Sequence, residues 1–177
     1  MLKHLLFILL FSISFTKVFP QSNSMTNCDC RKILIDMPSI AFQLFDSCQV
    51  AIEYRSGDCN GYCSVSIEKV TLSNPKYKDS ISLSALIGKS IKKVLEELEK
   101  NTICSVTNES VSSYDFYFAS CVHWANGGVE PCNTEQCCIA RYLVQFQGSG
   151  KTWKITTVDL GNYTRCDNPP DCFSICQ

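Results

Sequence analysis

The sequence predicts an α+β fold: one antiparallel sheet of about five strands, with a single amphipathic helix packed on it, stapled by disulfides. Three observations carry this expectation. Stretches within 49–72 and 111–159 alternate apolar and polar residues with the period of two that half-buried strands need. Residues 82–100 instead repeat their apolar side chains at three-to-four spacing. The chain of 177 residues also holds 13 cysteines, close to the density of a disulfide scaffold.

Taken in order, Ile33, Leu34 and Ile35 precede Pro38 and read as a short extended segment. Val50, Ile52 and Tyr54 share one side of a first strand. The turn formers from Ser56 to Gly61 follow, with Asn60-Gly61 as a strong hairpin signal. Tyr62 to Leu72 returns with Cys63, Val65 and Ile67 on one face, and Asn74-Pro75 ends it. Leu83, Leu86, Ile87, Ile91, Val94, Leu95 and Leu98 then mark the helix, which Ser80 or Ser82 can cap and Asn101 can end. A third strand runs over 111–122, with Tyr114, Phe116 and Phe118 aligned. After a loop over 125–136, Cys138, Ala140, Tyr142, Val144 and Phe146 form the fourth apolar face. Gly148-Ser149-Gly150 turns the chain into a fifth strand carrying Trp153 and Ile155. The predicted order is hairpin, helix, three-strand meander.

Residues 1–24 read as a secretory signal peptide. Lys3 and His4 precede an apolar run, Leu5 to Phe15, that is too short to cross a bilayer. Small residues offer two cleavage points, around Ser14/Thr16 or Ser22/Ser24. Residues 25–47 then form an N-terminal extension, 48–160 one domain, and 161–177 a Cys-rich tail. Loss of 1–24 takes Lys3 and Lys17, leaving 14 basic against 17 acidic residues. A mildly acidic domain without a basic cluster lacks the electrostatic basis for nucleic-acid binding. The mature part has no second apolar run of membrane-spanning length.

All the cysteines lie beyond the signal: Cys28, Cys30, Cys48, Cys59, Cys63, Cys104, Cys121, Cys132, Cys137, Cys138, Cys166, Cys172 and Cys176. Export favours disulfides among them, although spacing does not give the pairing. No Cys-x-x-Cys occurs, and His123 is the one histidine past the signal, so neither a zinc site nor a thioredoxin-like motif is expected. No metal and no cofactor is implied. The odd count leaves a thiol that is either buried and idle or bonded to a second chain.

Three further features bear on function. Strict alternation along the third strand puts Asp115, Tyr117, Cys121 and His123 on one face, a set suggesting a thiol nucleophile. Residues two apart on a strand are about 6.6–6.8 Å apart, however, which gives no assured thiol–imidazole hydrogen bond. Trp124, Asn126, Gly127 and Gly128 form an aromatic, glycine-rich tip able to contact a ligand, or else a pinned turn. Asn108 and Asn162 begin glycosylation sequons. The expected function is therefore non-enzymatic: an extracellular binding or structural/assembly protein with a protein or surface partner. The alternatives are a small secreted hydrolase with its site around Cys121, His123 and Trp124, and a secreted enzyme inhibitor. Self-association has two routes, an intermolecular disulfide or strand addition through 31–35, from Arg31 to Ile35.

Overall fold

The structure, a computed structural model, describes residues 28–101, 111–132, 137–147, 152–159 and 172–174. The signal peptide, Cys104, Cys166, Cys176, and the sequons at Asn108 and Asn162 lie outside these residues.

The five-strand, one-helix α+β expectation is overturned. The described residues are predominantly β and build one ten-strand sheet with three short helical pieces. The strands are β1 (Ile35–Asp36), β2 (Ile40–Phe45), β3 (Cys48–Cys59), β4 (Tyr62–Leu72), β5 (Val111–Ala119), β6 (Cys121–Ala125), β7 (Gly128–Pro131), β8 (Cys137–Gln147), β9 (Thr152–Asp159) and β10 (Phe173–Ser174). The helices are α1 (Cys30–Ile33) and α2 (Leu83–Lys100), with a 3-10 turn at Pro75–Ser80.

The strands absent from the expectation come from segments without clean alternation. Residues 31–35 were expected to be extended, yet Arg31 to Ile33 are helical, and the chain extends only from Ile35. β1 and β2 both pair antiparallel with β3, Ile35 opposite Ser56 and Ile40 opposite Ile52. Residues 35–36 and 40–45 of this stretch therefore belong to the sheet. The expected third strand is two strands, because the chain breaks at Ser120 between β5 and β6. The loop over 125–136 contains a second hairpin: Asn126 and Gly127 both have positive φ, 48° and 77°, and Trp124 pairs with Val129. Asn60 and Gly61, at 56° and 78°, turn β3 into β4 in the same left-handed way.

The sheet is also mixed rather than antiparallel. β4 runs parallel to β5, with Val65 beside Phe116. Parallel neighbours cannot be joined by a tight turn, so α2 serves as their crossover. β4 is the branch point: its first half borders β5, its second half borders β7, and β3 covers its other edge. Gly128 is obligatory at that second junction, since a Cβ there would lie 2.5 Å from the Val70 carbonyl oxygen.

Helix α2 begins where Ser82 Oγ accepts from the Ala85 N–H at 3.2 Å, and ends where the Asn101 amide donates to the Glu97 carbonyl at 3.0 Å. Its buried stripe, Leu86, Ile87, Ile91, Val94, Leu95 and Leu98, belongs to one core with Val50, Ile52, Tyr54, Val65, Tyr114 and Phe116. Full burial of each such side chain contributes about 1.5–3 kcal/mol, which makes this the main source of stability.

The opposite face is covered too. Cys30, Cys59, Tyr117, Cys137 and Ile139 form a second, smaller core, with Cys28 against it. Disulfides Cys28–Cys137 and Cys30–Cys59 clamp the N-terminal segment there, closing loops over sequence separations of 109 and 29. Each such crosslink contributes about 2–4 kcal/mol by limiting the unfolded chain. Arg31, only 6% exposed, donates from Nε to Ser66 Oγ at 2.9 Å and pairs with Glu68 at 3.0 Å, while Arg55 donates to its carbonyl.

Candidate functional site

The residues expected to act together on one strand are dispersed. Asp115 is 2% exposed and accepts two hydrogen bonds from Arg141, at 2.6 and 2.8 Å. The two face each other across the β5–β8 ladder, and the guanidinium also lies 4.2 Å from the centre of the Tyr62 ring. Asp115 holds that guanidinium still more firmly protonated. Tyr117 packs in the second core, where burial pushes its hydroxyl above the ordinary tyrosine value. Cys121 is disulfide-bonded, so its sulfur is not a thiolate nucleophile in this form. His123 stands on β6, beyond the break at Ser120 that removes the assumed alternation.

The Trp124–Gly128 region does not project as a tip. Trp124 packs against the main core, and the Gly127 carbonyl accepts from the Leu72 N–H at 2.9 Å. Gly127 and Gly128 are pressed against Pro75 and Val70, so the glycines serve close backbone approach.

Cys48 carries the free thiol among the described residues, and it is fully buried at 0% exposure. Its Sγ lies 3.8 Å from the carbonyl oxygens of Gln49 and Asn74. An inter-chain bridge through this sulfur would require the fold to open. Cys63 and Cys138 are disulfide-bonded, as is Cys121.

The only described histidine instead meets the sulfur of the residue that follows β7. His123 Nδ1 lies 3.5 Å from Cys132 Sγ, and Cys132 is bonded to Cys172. His123, Cys132 and Cys172 bring their donor atoms within 4.8 Å of one another. With both sulfurs spent in a disulfide, only the imidazole is left to ligate, so this is not a metal centre in the oxidised chain. Glu130 is opposite His123 in the hairpin and pairs with Lys69 at 2.8 Å. The Lys69 hydrogen bond, helped by its charge and by His123, holds the Glu130 carboxyl below its usual range. The sequence did carry a signal for this grouping. Centring a hairpin on Asn126-Gly127 puts His123 against Glu130 and Val122 against Pro131, which brings Cys132 alongside.

The described residues also line an open, partly apolar pocket of about 460 Å³. Leu83, Ile87 and Ile91 of α2 form one wall, with Tyr142 of β8 and Phe173 of β10 across from them. Gly88 lines it as well, and a Cβ added there would meet nothing within 4 Å. Ser84 and Ser174 supply hydroxyls at the margin. Phe173 is 52% exposed. The volume lies within the range of small-molecule sites, and a mostly apolar lining with a few polar groups is their usual composition.

No helix of the described residues is long and apolar enough to cross a membrane. Compared with known proteins, the chain matches no family model, no curated protein and no solved structure.

Proposed function

We propose that this chain is a secreted, non-enzymatic binding protein that takes a small apolar ligand between α2 and β10. The pocket of about 460 Å³ beside the exposed Phe173 carries the reading. The disulfide frame supports it, because crosslinks hold a binding surface open at little entropic cost on binding. Extracellular residence is supported by the same bridges, which persist in oxidising compartments, and by the signal-like residues 1–24. Asp115 and Cys121 favour this reading over a hydrolase, since one is committed to Arg141 and the other to a bridge.

Titration with the uncharged dye Nile red tests the site. The mature chain should enhance its fluorescence saturably, and Gly88→Leu, which places a side chain in open space, should abolish the enhancement while circular dichroism stays unchanged. Equal enhancement by both proteins, or none by the native chain, overturns the proposal. Secretion is tested by the mass of the protein recovered from culture medium. Loss of about 14–26 N-terminal residues is expected, and retention of the whole leader in the cell contradicts it.

A further inference from the structure

The Cys132–Cys172 disulfide differs in its surroundings from Cys28–Cys137 and Cys30–Cys59. Cys30, Cys59 and Cys137 are buried in the second core, with half-buried Cys28 against it, whereas Cys132 and Cys172 are both half-buried at the edge of the sheet. It has an imidazole against it: His123 Nδ1 is 3.5 Å from Cys132 Sγ. Cys172 immediately precedes β10, which is held to β6 by two residue pairs, Phe173 with Val122 and Ser174 with Cys121. This bridge therefore tethers β10 to the end of β7.

We propose that Cys132–Cys172 is a thiol-exchange site, opened by a low-molecular-weight thiol, with His123 as its proton donor. The external thiolate attacks Cys172 Sγ, forming a mixed disulfide as the Cys132–Cys172 bond breaks. The electron pair leaves with Cys132 Sγ, and the His123 imidazolium supplies a proton to that sulfur. A second external thiol attacks the mixed disulfide, releasing the oxidised reagent and leaving Cys172 as a thiol. Two external thiols are oxidised and one protein bridge is reduced. Attack falls on Cys172 because the sulfur beside the cation is the better leaving group. Among the described residues, the charged groups facing His123 are Glu130 on β7 and its ion-pair partner Lys69 on β4. The site is independent of ligand binding in the pocket, although scission would untether the strand that carries Phe173.

The test is timed exposure of the native chain to 2-mercaptoethanol, an iodoacetamide quench, and peptide mass analysis across pH 5–9. Cys132 and Cys172 should be labelled at least about tenfold faster than Cys28, Cys30, Cys59 and Cys137. Their rate per reagent thiolate should be higher at pH 5 than at pH 8, because the step uses a protonated imidazole. His123→Gln should lower the pH 6 rate about tenfold and flatten the profile. His123→Lys, which keeps a cation, should stay fast with no fall up to pH 8. If His123→Gln does not fold, the native profile and the lysine variant decide. Opening of another bridge first, a flat native profile, or a folded His123→Gln that matches the native profile overturns the proposal.

Discussion

Separating Asp115 from Arg141 should reveal how unevenly an ion pair is buried. The carboxylate is 2% exposed, whereas the Arg141 side chain keeps 21% of its surface, so water can still solvate an orphaned guanidinium but not an orphaned carboxylate. At an effective dielectric near 20, two unit charges 4 Å apart attract by about 4 kcal/mol. Breaking a buried pair from one side typically costs about 3–5 kcal/mol, because the survivor is left without compensation. Arg141→Met should therefore cost about 4 kcal/mol and Asp115→Leu about 3 kcal/mol, the second retaining some hydration. The double variant replaces both charges by apolar groups and should lose only about 1–2 kcal/mol, far less than the sum. Urea unfolding of the four proteins at pH 7 measures every quantity. Single-variant losses below about 1 kcal/mol that add in the double variant would refute the burial argument, as would Asp115→Leu proving the costlier single change.

Two glycines and a group of tyrosines give contrasting outcomes. Gly88→Ala should stabilise the chain by about 0.5–1 kcal/mol, since the helix gains propensity and the added methyl meets no atom within 4 Å. Gly128→Ala should instead cost about 1–3 kcal/mol in the same thermal-unfolding assay, because its Cβ would force β7 away from the Val70 carbonyl. Tyr54, Tyr114, Tyr117 and Tyr142 are all held above the ordinary tyrosine value by burial, with Tyr114 also donating to Glu99 at 2.8 Å. Their neutral forms support the fold fully below about pH 10, and that support is lost as pH rises further. Phenolate absorbance should therefore develop together with loss of near-ultraviolet circular dichroism; phenolate appearing first, with the fold intact, would contradict their burial.

Periodicity was most informative where one face is wet and the other dry. α2 could be read because its lysines and glutamates alternate with a continuous apolar stripe. The β3–β4 hairpin was legible for a similar reason, and Asn60-Gly61 marked its turn. β5 misled because both of its faces are buried, one against α2's core and the other among Tyr117, Ile139 and Asp115. Its pattern consequently runs on into β6 without marking the break at Ser120. β1, β2 and β10 are edge strands, and two of them are two residues long, too short to show any period. Arg31 concealed the second core, since a charged residue is a poor sign of burial until Ser66 and Glu68 are brought to it. The candidate site failed for a related reason: Asp115 meets Arg141 across β5 and β8, and His123 meets Cys132 just past the end of β7, and both depend on register set by turns placed elsewhere.

The two-faced, crosslinked sheet is tested most directly by peptide mapping of the unreduced, natively folded protein after iodoacetamide treatment. Linked peptides should join Cys28 to Cys137, Cys30 to Cys59 and Cys132 to Cys172. Cys48 should remain unlabelled until denaturant exposes it, and should then react as a free thiol. A bridge containing Cys48, or Cys28 and Cys30 bonded away from Cys137 and Cys59, would contradict the clamped N-terminal segment and the second core beneath it.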